Sequence, residues 1–265
     1  MKYINLGCGP KYSTDKVWLN ADMSTTSKDV IECNFLNGIP FGDAEFDTVY
    51  HSHVIEHFSK KDAVFFISEC FRVLKPNGII RIACPNLEVI AREYLNNLER
   101  ANNNVQNADE DYDWIMLELY DQTVRNKSGG DMLNYFKKKE INNIDYVANR
   151  IGNVVREWYN SLRGQEVNSD QKFLAKKFSL SSFFSYNNKE NELEQNYSEI
   201  GKFRLGGEIH QWMYDRFSLK RLLEKVGFKD VIVRTATESY IESWSSYQLD
   251  NPEETASIFI EARKA

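Results

Sequence analysis

Tyr3-Ile4-Asn5-Leu6 is a short apolar run that stops at once on Gly7-Cys8-Gly9-Pro10, and this junction constrains the fold more than any other feature of the chain. A run of this kind reads as a buried strand entering a tight turn. With no Cβ at two of three positions, a ligand can approach the backbone and face its N–H groups. Val17-Trp18-Leu19-Asn20-Ala21-Asp22 reads as a second strand, and Phe46-Asp47-Thr48-Val49-Tyr50 as another behind a Gly42-Asp43 turn. From Ala63, Phe66, Ile67, Cys70 and Leu74 recur at helical spacing. Ser59 with Asp62 three residues later predicts the start of that helix, and Lys75-Pro76-Asn77-Gly78 its end. Ile79-Ile80-Arg81-Ile82-Ala83-Cys84 follows as a mostly apolar strand. At the far end, Ser218 is expected to cap a helix carrying Leu219, Leu222, Leu223 and Val226, closed by Gly227. Phe228 to Val233 and Ser257 to Ala262 then read as two strands expected to pair antiparallel at the sheet edge. Strand–helix alternation of this kind implies an α/β sheet covered on both faces.

Between Pro85 and about Leu205 the texture changes. Asparagine clusters (102–104, 142–143 and 187–188) separate helix-like pieces, Trp114 to Val124 and Tyr146 to Trp158, and Ser179 to Glu194 reads as a mobile loop. The expected organisation is one α/β core from residues 1–85 and 206–265, with residues 86–205 inserted as a mainly helical substrate cap. Composition fits: 265 residues, 42% hydrophobic and 27% charged, describe a chain able to bury a sizeable core. A net charge of −6 argues against nucleic acid or anionic lipid as partner. Four cysteines without a Cys-x-x-Cys pair fit a reducing compartment. With no signal-peptide-like region and no apolar run long enough to span a bilayer, a cytoplasmic location is expected.

Asp22 ends the second strand. In an open α/β sheet the carboxyl ends of adjacent strands line one crevice, which places this carboxylate beside the glycine turn, where it can accept the hydroxyls of a ribose. A dinucleotide fingerprint would need a third glycine where Tyr12 stands and an acid about 20 residues further on. No lysine is placed like that of a phosphate-binding loop. A ribose-bearing ligand without phosphate fits better.

The ordered series Ile4-Asn5-Leu6-Gly7-Cys8-Gly9, Asn20-Ala21-Asp22, Ile39-Pro40-Phe41, Glu45 to Val49, His53-Val54-Ile55-Glu56-His57-Phe58 and Glu69 to Gly78 resembles a class I S-adenosylmethionine-dependent methyltransferase of the small type 11 group. The resemblance covers residues 3–85 nearly continuously, and Ser218 to Ala262 is similar to the family's last helix and strands. It implies a Rossmann-like, mostly parallel sheet with an antiparallel last strand, and S-adenosylmethionine as cofactor. By position it implies that Gly7, Cys8 and Gly9 lie against the cofactor's methionine part and that Asp22, next to Met23, holds the ribose. It also implies that Asn34-Phe35-Leu36 contacts the adenine and that His51 and His53 lie near the transferring methyl. Asn5 and Asn34 depart from the pattern, since many relatives carry an acid at each.

His53-Val54-Ile55-Glu56-His57 also matches the H-x-x-E-H pattern of helix-borne zinc hydrolases. Its place at a strand-to-loop junction, bracketed by the other motifs, speaks against that reading; a divalent ion assisting methyl transfer is the more plausible metal role, and the favoured reading of Glu56-His57 is a loop anchor. His210 lies in Gly206-Gly207-Glu208-Ile209-His210-Gln211-Trp212-Met213-Tyr214-Asp215. Two glycines, a histidine and the aromatics Trp212 and Tyr214 suit the wall of a substrate pocket. An imidazole titrates near neutrality, so His210 and then His53 are the candidate general bases. Tyr120, Arg125 and Lys127, the last two beside a Ser-Gly-Gly turn, are the candidate contacts to an anionic acceptor. Both stretches resemble methyltransferases of bacterial surface-glycan and polysaccharide biosynthesis. The expected activity is O-methylation of a sugar or of a glycan or nucleotide-sugar precursor. The alternatives are another small-molecule acceptor (a lipid, quinone or amine) and a non-catalytic cofactor-binding scaffold.

Overall fold

The computed structural model describes residues 1–24, 27–153, 155–156, 159–160 and 197–265. The expected loop at 179–194 lies outside them. The chain divides into two compact units: Met1–Asn86 with Gln211–Pro252 and Ser257–Ala265, and Leu87–His210 with Glu253–Ala256.

The first unit is a seven-stranded sheet: β1 (Tyr3–Leu6), β2 (Trp18–Asp22), β3 (Val30–Glu32), β4 (Phe46–Ser52), β5 (Leu74–Pro85), β6 (Phe228–Arg234) and β7 (Ser257–Lys264). Its order is β3-β2-β1-β4-β5-β7-β6. β7 runs antiparallel to both neighbours, while the pairs from β3 through β5 are all parallel. The last strand is therefore antiparallel, as expected, but it sits inside the sheet and leaves the edge to β6.

On one face α1 (Lys60–Val73) buries Ala63, Phe66, Ile67, Cys70 and Val73, and α7 (Arg216–Val226) buries Leu219 and Leu223. They join Ile4, Leu6, Val49, Ile80, Ile82 and Ile260 in one core. α1 starts where the sequence predicts, with the Ser59 hydroxyl accepting from the Asp62 N–H. α7 starts earlier. Its cap is Asp215, whose carboxylate accepts from Phe217 and Ser218, and Ser218 closes the reciprocal box as the third helical residue.

The other face corrects the expected strand–helix alternation. Residues 7–17 join β1 to β2 without any helix, and β3 to β4 passes through only a short 3₁₀ turn, Phe35–Asn37. The excursion between β6 and β7 supplies cover instead. Its Ile241, Trp244 and Leu249 pack with Tyr3, Trp18, Tyr50 and Ile79, and Trp244 lies in a short helix, α8 (Trp244–Tyr247). Under this cover a polar row crosses the sheet in register: Asn20 opposite Asn5, Asn5 opposite Tyr50, Tyr50 opposite Arg81, and Arg81 opposite Glu261. Arg81 is fully buried and pairs with Asp250 (2.6 Å) and Glu261 (2.8 Å).

The second unit is helical: α2 (Leu87–Asn102), α3 (Ala108–Val124), α4 (Gly130–Phe136), α5 (Ile144–Ile151) and α6 (Tyr197–Arg204). α3 begins six residues before the expected Trp114, its first turn carrying Asp109, Glu110 and Asp111 as suits a helix N-terminus. α5 ends at Gly152 (φ +100°), short of the expected Trp158, which lies outside the described residues. Trp114, Met132, Tyr135, Phe136 and Val147 form its core. Arg150 pairs with buried Glu118 at 2.6 Å, and the Trp114 indole N–H donates to the same carboxylate. The Arg204 guanidinium donates to the carbonyls of Thr123, Val124 and Arg125 at the C-terminus of α3, where a cation meets the negative end of the helix dipole.

Candidate active site in the sheet unit

The glycine turn leaves β1 with Gly7 at φ +66° and Gly9 at φ +50°. Both values lie in the left-handed region that side chains disfavour. A Cβ on Gly7 would overlap the side chain of Val54, which packs directly against the turn. The N–H groups of Gly7 and Cys8 donate to the Ala21 carbonyl (2.8 and 3.3 Å). Asp22 then closes the arrangement: its Oδ2 accepts from Gly9 N–H at 2.7 Å and its Oδ1 from Ser24 N–H at 3.2 Å. A carboxylate offers about four lone-pair positions, so two bonds leave it able to accept more. Cys8 is buried, and its thiol is pushed up to about 12 by burial, with Asp22 adding to the effect. It stays protonated and is no nucleophile.

Asn5 is buried, and its amide donates to the carbonyl of Lys11 (3.4 Å), so its side chain holds the turn's exit. Asn34 is exposed, and its side chain accepts from Leu36 N–H to cap the 3₁₀ turn. Leu36 and Met23 are half exposed. Phe35 is not available as a ligand contact, because its ring is buried in the core against Phe66 with centroids 5.7 Å apart.

His51 is fully buried, its ring edge-on to Phe66 at 5.1 Å, and neither ring nitrogen has a hydrogen-bond partner among the described residues. Burial drives its pKa down to about 3, against the opposing pull of Glu56. The ring is neutral in the folded protein above about pH 3. Between pH 6.5 and about 3 the unfolded chain takes up a proton here that the folded chain refuses, so stability falls as pH drops through that window. His51→Phe is expected to flatten this acid limb. Urea unfolding of both proteins near pH 4 and pH 7 checks it, and parallel losses would contradict it.

His53 follows β4 at φ +55°, a conformation that a non-glycine residue holds only when its surroundings enforce it. Its N–H donates to the Ala83 carbonyl, its Nδ1 lies 3.2 Å from the Glu56 carboxylate and its Nε2 lies 3.3 Å from the Ser257 hydroxyl. The ring is part-exposed while Glu56 is buried, an acid placed to orient an imidazole. Glu56 and His57 lie in a single 3₁₀ turn, Ile55–His57, so H-x-x-E-H is not presented on an α-helical face as the zinc pattern requires. The Glu56 carbonyl accepts from Gln211 and Trp212 N–H. This carbonyl anchor is a contact that the spacing of the motif does not reveal. Trp212 stays part-exposed with the Lys60 ammonium 3.6 Å from its ring centre. Tyr214 is a core residue: it is buried, bridged to Asn86, and its phenol is pushed up by burial.

The remaining candidates belong to the helical unit. Arg125 is no anion receptor. It is buried and pairs with Asp121 (2.6 Å) and Glu208 (3.1 Å), so two carboxylates already answer its charge. The same carboxylates hold the Ser-Gly-Gly turn, Glu208 accepting from Gly129 N–H and Asp121 from Asp131 N–H. Lys127 and Tyr120 are exposed. His210 is buried, its N–H donating to the Gln122 carbonyl and its Nε2 lying 2.9 Å from the Gln122 amide nitrogen.

Residues 5–82, within the sheet unit, match the family described as a methyltransferase domain. A probable S-adenosylmethionine-dependent methyltransferase of Mycolicibacterium smegmatis is 33% identical over 99 residues, covering 31% of this chain and 37% of that protein. The chain thus spans well under half the length of this relative. Among solved structures, a SAM-dependent methyltransferase from Archaeoglobus fulgidus is 12% identical with a TM-score of 0.39, over 100% of this chain and 86% of that one. A possible histamine N-methyltransferase from Thermotoga maritima is also 12% identical, with a TM-score of 0.41 over 100% and 82%.

Proposed function

We propose that this protein is an S-adenosylmethionine-dependent methyltransferase that O-methylates a sugar or a glycan precursor. The observation that carries the first half is the Gly7–Gly9 turn tied to Asp22 at the carboxyl ends of adjacent strands, inside the segment that matches a methyltransferase domain. The residues suit the cofactor. Gly7 and Gly9 hold the left-handed turn that brings the main chain beside Asp22, and Asp22 keeps lone pairs for two ribose hydroxyls. Asn34, Leu36 and Met23 present exposed surface for the adenine.

When bound, S-adenosylmethionine supplies a methyl group activated by its sulfonium. The chain's own task is to align an acceptor hydroxyl with that methyl, and orientation alone lowers such a barrier by roughly 7–11 kcal/mol. Of the two candidate bases, His53 takes the proton, at Nε2. Its ring is part-exposed and faces Glu56, whereas the His210 ring is buried against Gln122. A base so placed contributes about 10²–10⁴-fold, and His53→Gln is expected to lower turnover by that factor. The saccharide acceptor is supported by the part-exposed Trp212 indole, an aromatic face of the kind that stacks on a sugar ring. Arg125, paired with Asp121 and Glu208, does not support it. Among the described residues no helix is long and apolar enough to cross a membrane.

Calorimetric titration with S-adenosylmethionine and S-adenosylhomocysteine tests the first half, and no binding of either would overturn it. Methyl-transfer screening of nucleotide sugars and short glycans with mass detection tests the second. Transfer to a lipid, quinone or amine instead would replace the saccharide.

A further inference from the structure

The connection from β1 to β2 lacks a helix, yet it must present Gly9 N–H to Asp22. We propose that two strand asparagines, Asn5 and Asn20, are positioning residues that hold this loop in its binding shape, an inference that rests on the cofactor reading of the site. They stand opposite each other in register and both are buried. Asn5 Nδ2 donates to the Lys11 carbonyl at 3.4 Å and Asn20 Nδ2 donates to the Ser13 carbonyl at 3.0 Å. Within the loop, Lys11 N–H donates back to the Cys8 carbonyl. The amide pair therefore grips alternate carbonyls of the segment that leaves the glycine turn, and a helix's own hydrogen-bond ladder is not needed there.

The bond needs a side-chain donor, which Asn supplies and Asp does not. A carboxylate is acceptor-only, and at either position it would turn lone pairs toward a carbonyl oxygen. The departure at Asn5 thereby finds a reason: the residue donates to the loop, where an acid could not. Asn20 Oδ1 is buried without a hydrogen-bond partner among the described residues, so Asp at position 20 would leave a charge with no donor at hand.

The test uses Asn5→Asp and Asn20→Asp, close in shape, together with Asn5→Leu and Asn20→Leu, which remove the donor without adding charge. S-adenosylhomocysteine affinity is read by calorimetry, and amide hydrogen exchange of residues 8–16 is read without cofactor. Each variant is expected to bind S-adenosylhomocysteine about tenfold more weakly, equivalent to about 1.4 kcal/mol. Exchange should quicken at residues 8–16 while α1 and β5 keep their protection. Wild-type affinity with unchanged exchange would overturn the proposal. So would faster exchange spread evenly over the sheet, which marks general stability and not loop shape. If the Asp variants fail to fold, the Leu variants decide. If the wild-type protein binds no S-adenosylhomocysteine, the cofactor reading fails, and the exchange data still judge the anchoring.

Discussion

Arg81→Met is expected to destabilise the sheet unit by about 3–5 kcal/mol, the range for removing one partner of a buried charge pair. Arg81 has no exposed surface and answers two carboxylates, Asp250 at 2.6 Å and Glu261 at 2.8 Å. It also donates to the carbonyls of Thr235, Ala236 and Glu238, and lies 4.5 Å from the centre of the Trp244 ring. One side chain thus pins the whole excursion between β6 and β7 to the middle of the sheet. Without it, two buried acids lose their shared cation, Asp250 keeping the Tyr50 hydroxyl and Glu261 the Ser239 hydroxyl, the Tyr240 N–H and Arg234 at 3.5 Å. Burial already pushes the Asp250 carboxyl up, with the Tyr50 hydroxyl donating to it at 2.7 Å. Methionine fills most of the volume, so the loss reports charge and not a cavity. Adding Asp250→Asn and Glu261→Gln to Arg81→Met should restore part of the stability, because the orphaned charges go with the cation. Urea unfolding of the single and triple variants decides. A loss under about 1 kcal/mol in the single variant would mean that water reaches these acids once the cation is gone.

The same residue shows why parts of the fold were not legible beforehand. In Ile79-Ile80-Arg81-Ile82 the arginine reads as an interruption of an apolar strand, and its partners lie more than 150 residues further along the chain. What local chemistry dictates was readable: the strand closed by Gly7 and Gly9, the Ser59 cap of α1, the stop at Gly227. Asp22 belongs with these, because a parallel sheet aligns successive strand ends. What depends on distant pairing was not. The bare β1–β2 loop could be foreseen only by knowing that residues 241–249 cover that face. Arg125 looked available because Glu208 is remote, although Asp121, four residues back on the same helix, was a local sign of pairing. His51 and Phe35 sit beside motif residues, but strand alternation turns the His51 ring into the core and the 3₁₀ turn at Phe35–Asn37 buries that of Phe35. Asn5 and Asn20 also carry a local signal, since each is a buried polar residue two positions before a functional one in a mostly apolar strand.

Asp22→Ala is expected to weaken S-adenosylhomocysteine binding by at least about 10²-fold, because hydrogen bonds to a charged group contribute roughly 1.5–3 kcal/mol each and the carboxylate is to accept from two hydroxyls. The structure adds a second route to the same loss. Asp22 also accepts from Gly9 N–H, so alanine frees the glycine turn as well as removing the ribose partner. Asp22→Asn separates the two effects. Its amide oxygen can still accept from Gly9 while the charge is gone, and an intermediate affinity is expected. Gly7→Ala isolates the turn from the other side. Its φ of +66° and the overlap of a Cβ with Val54 predict a strained backbone at a stability loss of about 1–3 kcal/mol, with binding lost in parallel. Val54→Ala opens the space a Cβ needs, so the double variant should recover the part of the loss that is steric and keep the part set by φ. Titration and thermal unfolding of these variants form one cycle. An Asp22→Ala protein that bound as tightly as the wild type would remove Asp22 from the ribose, and with it the reason for reading the glycine turn as the cofactor's seat.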